Sequence, residues 1–263
     1  MPEHTSFFSY LFALFPALQD NIKNLGETAS GKAITHHSVE PLLASLFVAL
    51  IMIGLAWAAR KKIKTNQDAV IPDAHLSLRT FFELLISYFY NLMKEMMGPV
   101  HAKRYFPVIG TAACFIFFCN FLGMIPGLIP PTSSWNITLG CALVVFVLFN
   151  YYGLKENGFA YIKHLGGPMP ALALLIFPLE LISLCLRPIT LSLRLMLNMA
   201  VDHLLLSILL GIFPLLIPIP IMLLGTLVAI VQVVVFCLLS SIYIALAVEH
   251  QNHEPHLAST RTK

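Results

Sequence analysis

The sequence predicts an all-α integral membrane protein with about five membrane segments. Of its 263 residues, 58% are hydrophobic and only 11% are charged, whereas about 25% of the residues in an average soluble domain carry charge. The apolar residues are gathered into long stretches separated by polar or proline-rich segments. Within a bilayer such stretches form helices, because a helix satisfies its backbone hydrogen bonds internally.

The first predicted segment runs from about Pro41 to Ala59 and is preceded by residues 1–40, which we assign to an extracytoplasmic N-terminal segment. It ends at the basic residues Arg60, Lys61, Lys62 and Lys64. Basic residues next to a membrane segment mark its cytoplasmic end. The chain is therefore predicted to enter the membrane from outside and to reach the cytoplasm after this segment.

An amphipathic helix is predicted on the cytoplasmic side, from Thr80 to Met97, because phenylalanine and leucine residues are mixed there with polar and charged side chains. Two further membrane segments follow, at about Phe106–Leu128 and Ile137–Tyr152. The loop between them is free of charge and rich in proline, which suits the outer side of the membrane.

The last two segments, about Ala171–Leu210 and Ile221–Val248, are longer than a membrane requires. At 1.5 Å per residue they would reach roughly 60 Å and 42 Å, against a hydrocarbon core of about 30 Å. We therefore predict a long, steeply tilted helical hairpin. The membrane domain then covers residues 41–250, and a polar cytoplasmic tail covers 251–263.

Ionisable residues form a stripe along the first of these two long helices. Glu180, Arg187 and Arg194 are spaced seven apart and therefore lie within about 40° of one another on a helix. Asn198 and Asp202 fall within about 40° of Glu180, and Ser183 flanks the stripe at about −60°. An arginine at bilayer depth costs about 2.5 to 3.5 kcal/mol, so it normally faces a protein interior or a wet cavity on an ion path.

Alternatives remain for three parts of this pattern. His203 lies near 140° from Glu180 and could be structural, approach the last helix, or tune a proton relay. Gln232 could join helices by hydrogen bonding or could face the stripe and orient Arg194 or water. The charges could also pair internally, Glu180 with Arg187 and Asp202 with Arg194, although Glu180 and Arg187 are separated by a rise of about 10 Å.

Composition and motifs exclude several other classes of function. The net charge of +3 comes from basic residues beside apolar stretches, which does not indicate nucleic acid binding. The five cysteines lie in apolar stretches without metal-ligand spacing, so we predict no metal site and no cofactor. A glycine-rich phosphate loop of the P-loop type is also missing from the sequence.

Five stretches of the sequence resemble one known family. The segment Arg187–Met199 reads RPITLSLRLMLNM, and it closely resembles the signature of the a subunit of rotary F-type ATP synthases. The resemblance extends through Pro178–Glu180, Gln232–Phe236 and Tyr243–Ala247, and Asn120–Pro126 is similar to a motif of the family's second segment. On these motifs the chain is identified as a member of this family, of the bacterial type.

The resemblance implies a proton-conducting stator subunit in the bacterial cytoplasmic membrane, not an enzyme on its own. Arg194 matches the stator arginine that faces a rotating ring of c subunits, each carrying a carboxylate, and that separates two half-channels. Asn198 and Gln232 match positions near that arginine. Glu180 matches an acidic residue of a half-channel. His203 matches a position that is acidic in some bacterial members of the family and histidine in mitochondrial members. The implied partners are the c-subunit ring, the b-subunit peripheral stalk, the rest of the ATP synthase and the lipid bilayer.

Two positions depart from the family pattern. Leu197 stands where glycine commonly precedes the asparagine, and Gly225 stands where many members carry histidine or glutamate. Asp202, where the family often has a small residue, is expected to substitute in the channel. The ion is expected to be a proton, with a sodium-translocating version of the same subunit as the alternative. A stand-alone transporter and a membrane scaffold are the other classes considered.

Overall fold

A computed structural model describes residues 36–62, 78–125, 128–157, 170–212 and 218–248. Within these ranges every regular element is helical: α1 (His36–Lys62), α2 (Leu78–Leu122), a 3₁₀ turn (Pro131–Ser133), α3 (Trp135–Asn157), α4 (Pro170–Ile212) and α5 (Pro218–Val248). The predicted polar tail and most of the predicted N-terminal segment, residues 1–35, lie outside the described residues.

Five of these helices are long and apolar enough to cross a membrane. The spans are Val39–Arg60, Arg79–Leu122, Trp135–Lys155, Ile176–Leu209 and Ile219–Leu246. The predicted all-α class and the predicted number of membrane segments are therefore confirmed.

Helix α2 is longer than the sequence indicated. Its 45 residues join the predicted amphipathic helix to the second membrane segment, with a kink at Gly98. The backbone of Gly98 has φ 76° and ψ 166°, a conformation that is open almost only to glycine. The sequence ended the amphipathic helix at Met97 and began the second membrane segment at about Phe106, and residues 99–105 between them are helical. The membrane-surface position of the first part of α2 stays a prediction.

Helices α4 and α5 contain 43 and 31 residues, or about 65 Å and 46 Å of helix at 1.5 Å per residue. Both exceed a hydrocarbon core of about 30 Å. Pro178 and Pro188 both lie inside α4. The lengths agree with those expected from the sequence, while the tilt of the pair in the membrane remains a prediction.

Packing divides the described residues into two compact units, which we describe separately. Unit 1 contains the described residues up to Leu85 together with Cys114–Thr138 and Arg194–Val233. Its core includes Val48 of α1 and Cys119 and Leu122 of α2, with Phe115, Phe118 and Leu128 packed around them. Burial of these side chains fixes the end of α2 and the loop that follows it within the unit.

Unit 2 contains Ile86–Ala113, Leu139–Leu193 and the described residues from Val234 onward. Aromatic contacts link its helices. The rings of Tyr105 in α2 and Tyr152 in α3 lie edge to face with centroids 4.8 Å apart. Phe149 of α3 also contacts Tyr243 of α5, with ring centroids 6.4 Å apart. Such pairs add about 0.5 to 1.5 kcal/mol beyond the area that they bury.

The kink in α2 generates a testable prediction. Replacing Gly98 with alanine should destabilise the protein by about 2 kcal/mol, because a Cβ atom is strained at its backbone angles. Gly140→Ala is the matched control, since Gly140 lies inside α3 and no heavy atom lies within 4 Å of a Cβ added there. Thermal stability of the purified complex measures both variants. Equal stability would contradict the prediction.

Candidate functional site

Arg194 lies on an exposed face of α4. Leu191 and Leu195 beside it are buried, whereas the arginine side chain is exposed. Large apolar residues share this exposed face at alternating spacings of three and four, namely Leu197, Val201, Leu204 and Ile208. Among the described residues, Arg194 has no hydrogen bond and no ion pair. The subunit therefore presents a lone guanidinium on an apolar surface.

Asn198 and Gln232 join α4 to α5 one helical turn from Arg194. The Asn198 Nδ2 atom donates to Gln232 Oε1 at 2.8 Å. Gln232 is buried, and its Nε2 atom has no hydrogen-bond partner within the described ranges. The sequence left open whether Gln232 joins helices or faces the polar stripe. The structure pairs it with a residue of the stripe, and this same contact also joins the helices.

Asp202 lies against Gly225 of α5. A Cβ atom added to Gly225 would stand 3.5 Å from Asp202 Oδ2 and 3.7 Å from its Cγ atom. The Oδ2 atom is buried and lacks a hydrogen-bond partner among the described residues. The carboxylate therefore occupies the space that a larger residue at 225 would require. Arg194 is not its partner, so the expected alternative of an Asp202–Arg194 ion pair does not occur.

His203 faces the segment that follows α2. Its Nε2 atom lies 3.1 Å from where a Cβ atom on Gly123 would stand. At that position Pro130 Cβ would be only 2.6 Å away, closer than side chains can approach. Gly123 is therefore required for this packing, and its missing side chain makes room for both the proline and the histidine. Sequence reasoning had considered the last helix as the neighbour of His203.

Glu180 and Arg187 lie in unit 2 and approach each other more closely than their spacing suggested. The Arg187 guanidinium is 3.9 Å from Glu180 Oε1, because the long arginine side chain leans along the helix. Its Cζ atom also lies 5.0 Å from the ring centroid of Tyr243. Ser183, the remaining predicted residue of the stripe, is half-buried on α4.

Sequence reasoning assigned no role to a buried polar cluster in unit 1. Thr132 of the 3₁₀ turn donates to Asn120 Oδ1 at 2.8 Å, and Asn120 Nδ2 donates to the carbonyl of Ala229 at 3.5 Å. Both side chains are buried. The sequence did contain one signal for this cluster, the amide side chain of Asn120 within an apolar segment. Such an amide usually marks a contact between helices.

In the part of the chain that the structure describes, His, Cys, Asp and Glu residues form no group of three or more that could hold a metal ion.

Comparison with known proteins identifies the family. The family model described as the ATP synthase A chain matches residues 42–245. The chain belongs to the ATP synthase subunit a family. It is 53% identical to ATP synthase subunit a of Sorangium cellulosum (strain So ce56), over 96% of this chain and 100% of that protein. It is 41% identical to ATP synthase subunit a of Bdellovibrio bacteriovorus, over 80% and 92%.

Family membership agrees with the resemblance in Arg187–Met199 and with the five helices able to cross a membrane. A third relative, ATP synthase subunit a of Sulfurihydrogenibium sp., is 43% identical over 73% of this chain and 90% of its own length. The protein is thus a multi-pass, non-catalytic subunit in the membrane sector of an ATP synthase.

The close approach at Gly123 predicts the effect of one added methyl group. Gly123→Ala should cost about 1 to 3 kcal/mol of stability, because Pro130 or the backbone has to move. Gly211→Ala is the control, since a Cβ there has no heavy atom within 4 Å. Yield and thermal stability of the purified complex report the difference. A variant at Gly123 that matches its control would show that the turn accommodates the methyl group.

Proposed function

We propose that this chain is the proton-conducting stator subunit of its ATP synthase. In this mechanism two half-channels load and unload carboxylates on a ring of c subunits, and proton flow drives rotation of the ring. The observation that carries the proposal is Arg194, which is exposed on an apolar face and has no partner among the described residues. The role of Arg194 follows from what such a charge requires inside a membrane.

A guanidinium facing lipid would cost about 2.5 to 3.5 kcal/mol, and arginine cannot escape this cost by losing its proton. A carboxylate on a neighbouring subunit would remove most of the penalty. The exposed leucine, valine and isoleucine residues around Arg194 suit packing against an apolar helix, because they follow the three-and-four spacing of helix contacts. A ring of helices that each carry one acid meets both requirements.

The arginine would also keep protons from passing directly between the half-channels. A fixed positive charge repels protons and hydrated cations from its surroundings. A ring carboxylate that approaches Arg194 is favoured in its ionised form, so it releases its proton before it passes. Continued rotation then brings it to the other access path, where it is protonated again.

Two groups of polar side chains would line the access paths. Asn198, Gln232, Asp202 and His203 belong to unit 1, and Glu180, Ser183 and Arg187 belong to unit 2. Each group contains a carboxylate that can accept and release protons. Their presence favours protons as the transported ion, with sodium as the alternative for the same subunit.

The remaining expectations concern the surroundings of the subunit. We propose the c-subunit ring and the b-subunit peripheral stalk as direct partners, in the bacterial cytoplasmic membrane. The N-terminus would lie outside and the C-terminus in the cytoplasm, because basic residues at the end of α1, such as Arg60, indicate the cytoplasmic side.

Removing the arginine tests the proposal directly. Arg194→Ala should leave the complex assembled but abolish ATP-driven proton pumping, because nothing then separates the half-channels. Pumping is measured as dye quenching in inverted membrane vesicles, and assembly by copurification of the subunits. Arg60→Ala, an exposed arginine at the end of α1, is the control and should pump normally. Pumping that survives in Arg194→Ala would refute the stator role, and failed assembly would favour a scaffold.

Asp202, whose Oδ2 atom is buried, gives a second test. Asp202→Asn should lower the pumping rate by about tenfold or more, since an amide of the same shape cannot relay a proton. Ser207→Ala on the same helix is the control, because that hydroxyl is exposed and bonded to its own helix. An unchanged pumping rate in Asp202→Asn would remove this residue from the path.

A further inference from the structure

Within unit 2, the Arg187 guanidinium lies near two groups that attract it, the Glu180 carboxylate and the Tyr243 ring. Its guanidinium lies 3.9 Å from Glu180 Oε1 and, on another side, its Cζ atom lies 5.0 Å from the ring centroid of Tyr243. The distance to the carboxylate is beyond that of a charge-assisted hydrogen bond, which is about 2.7 to 2.9 Å. Arg187 and Glu180 therefore form a long ion pair, the internal pairing considered from the sequence, without a direct hydrogen bond.

Tyr243 is half-buried and its ring packs against a buried neighbour, whereas the Glu180 carboxylate is more exposed. Tyr243 packs against Phe149, which is only 2% exposed, and its neighbour Ile244 is also buried. By contrast, the side chain of Glu180 is 41% exposed and that of Arg187 is 24% exposed. The aromatic ring is the anchored member of the three, so it sets where the guanidinium rests.

The distance between the Arg187 guanidinium and the Glu180 carboxylate has a consequence for proton transfer. A carboxylate in a close, two-pronged bond with arginine has its oxygens occupied, so a proton reaches it less readily. A guanidinium held on the face of an aromatic ring still supplies positive charge nearby while leaving those oxygens accessible. Removal of the ring would let Arg187 close on Glu180.

We propose that Tyr243 is a positioning residue, which restrains Arg187 from closing on Glu180 and so keeps that carboxylate available to protons. This inference rests on the proposed function, because it assumes that Glu180 lies on the proton path. Tyr243 takes no proton itself; its ring face acts only on the arginine. Two consequences follow, namely that the hydroxyl is dispensable and that the effect of the ring requires Arg187.

The first experiment measures ATP-driven pumping per assembled complex. Tyr243→Leu should reduce the rate roughly twofold to tenfold, the range that corresponds to a cation–π contact, and Tyr243→Phe should retain it. Tyr151→Leu is the matched control, because Tyr151 is an exposed tyrosine of α3 whose ring also carries a cation, Lys155, at 5.8 Å. That control should pump normally.

A double variant separates positioning from simple packing. If Tyr243 acts through Arg187, then Arg187→Gln combined with Tyr243→Leu pumps as fast as Arg187→Gln alone. A purely structural tyrosine would instead lower the rate by the same factor in both backgrounds, and that result would overturn the inference.

A third measurement serves if Tyr243→Leu does not assemble. Phenylalanine with increasing numbers of ring fluorines is incorporated at position 243, which weakens the negative ring face while nearly preserving its volume. The pumping rate should fall stepwise with fluorination, and a flat series would overturn the inference. Arg194→Ala is measured in parallel. If that variant pumps, the proposed function fails; if it does not and position 243 has no effect, only the present inference fails.

Discussion

The structure depends on one constraint, the cost of keeping a permanent positive charge within a membrane. Arg194 cannot lose its proton, and among the described residues its own chain offers it no carboxylate. Leu191 and Leu195 pack inward while the guanidinium points outward. The helix buries these two leucines, but its exposed face is complete only when another molecule or water meets the charge.

Two asparagine side chains of the membrane helices have hydrogen-bond partners close by. Asn198 bonds to Gln232 across α4 and α5, and Asn120 bonds to Thr132 and to α5. Interhelical hydrogen bonds of this kind contribute about 0.6 to 2 kcal/mol each. They hold the helices in register around Arg194, so the positions of the neutral polar groups are determined before any proton moves. Arg194 differs from these asparagines because it has no partner among the described residues, and the partner that we propose for it is a carboxylate of the c-subunit ring.

The departure from the family pattern at Gly225 is related to the packing of α4 against α5. The resemblance implies that many members of the family carry histidine or glutamate at the position that matches Gly225, whereas this chain has no side chain there. Asp202 of α4 reaches into that space, within 3.5 Å of a Cβ added to Gly225. An acid on one helix thus fills the position that a larger polar residue on the other would fill. A side chain at position 225 would therefore be in van der Waals contact with the Asp202 carboxyl group from its Cβ atom onward.

Sequence alone determined the helical class and the number of membrane segments, because hydrophobic length is a local property of the chain. It also singled out Arg194 as the residue to test, because the cost of a charge in a membrane is local too. Helical periodicity also placed Asn198 and Asp202 on one side of α4. Periodicity could not identify neighbours on other helices, because the angle of a residue around its own helix axis does not show which other helix packs against that side. Only the tertiary structure paired Asp202 with Gly225, His203 with Gly123 and Arg187 with Tyr243, and only it joined α2 through Gly98. Those outcomes depend on close packing between segments distant in sequence, and on how far long side chains lean.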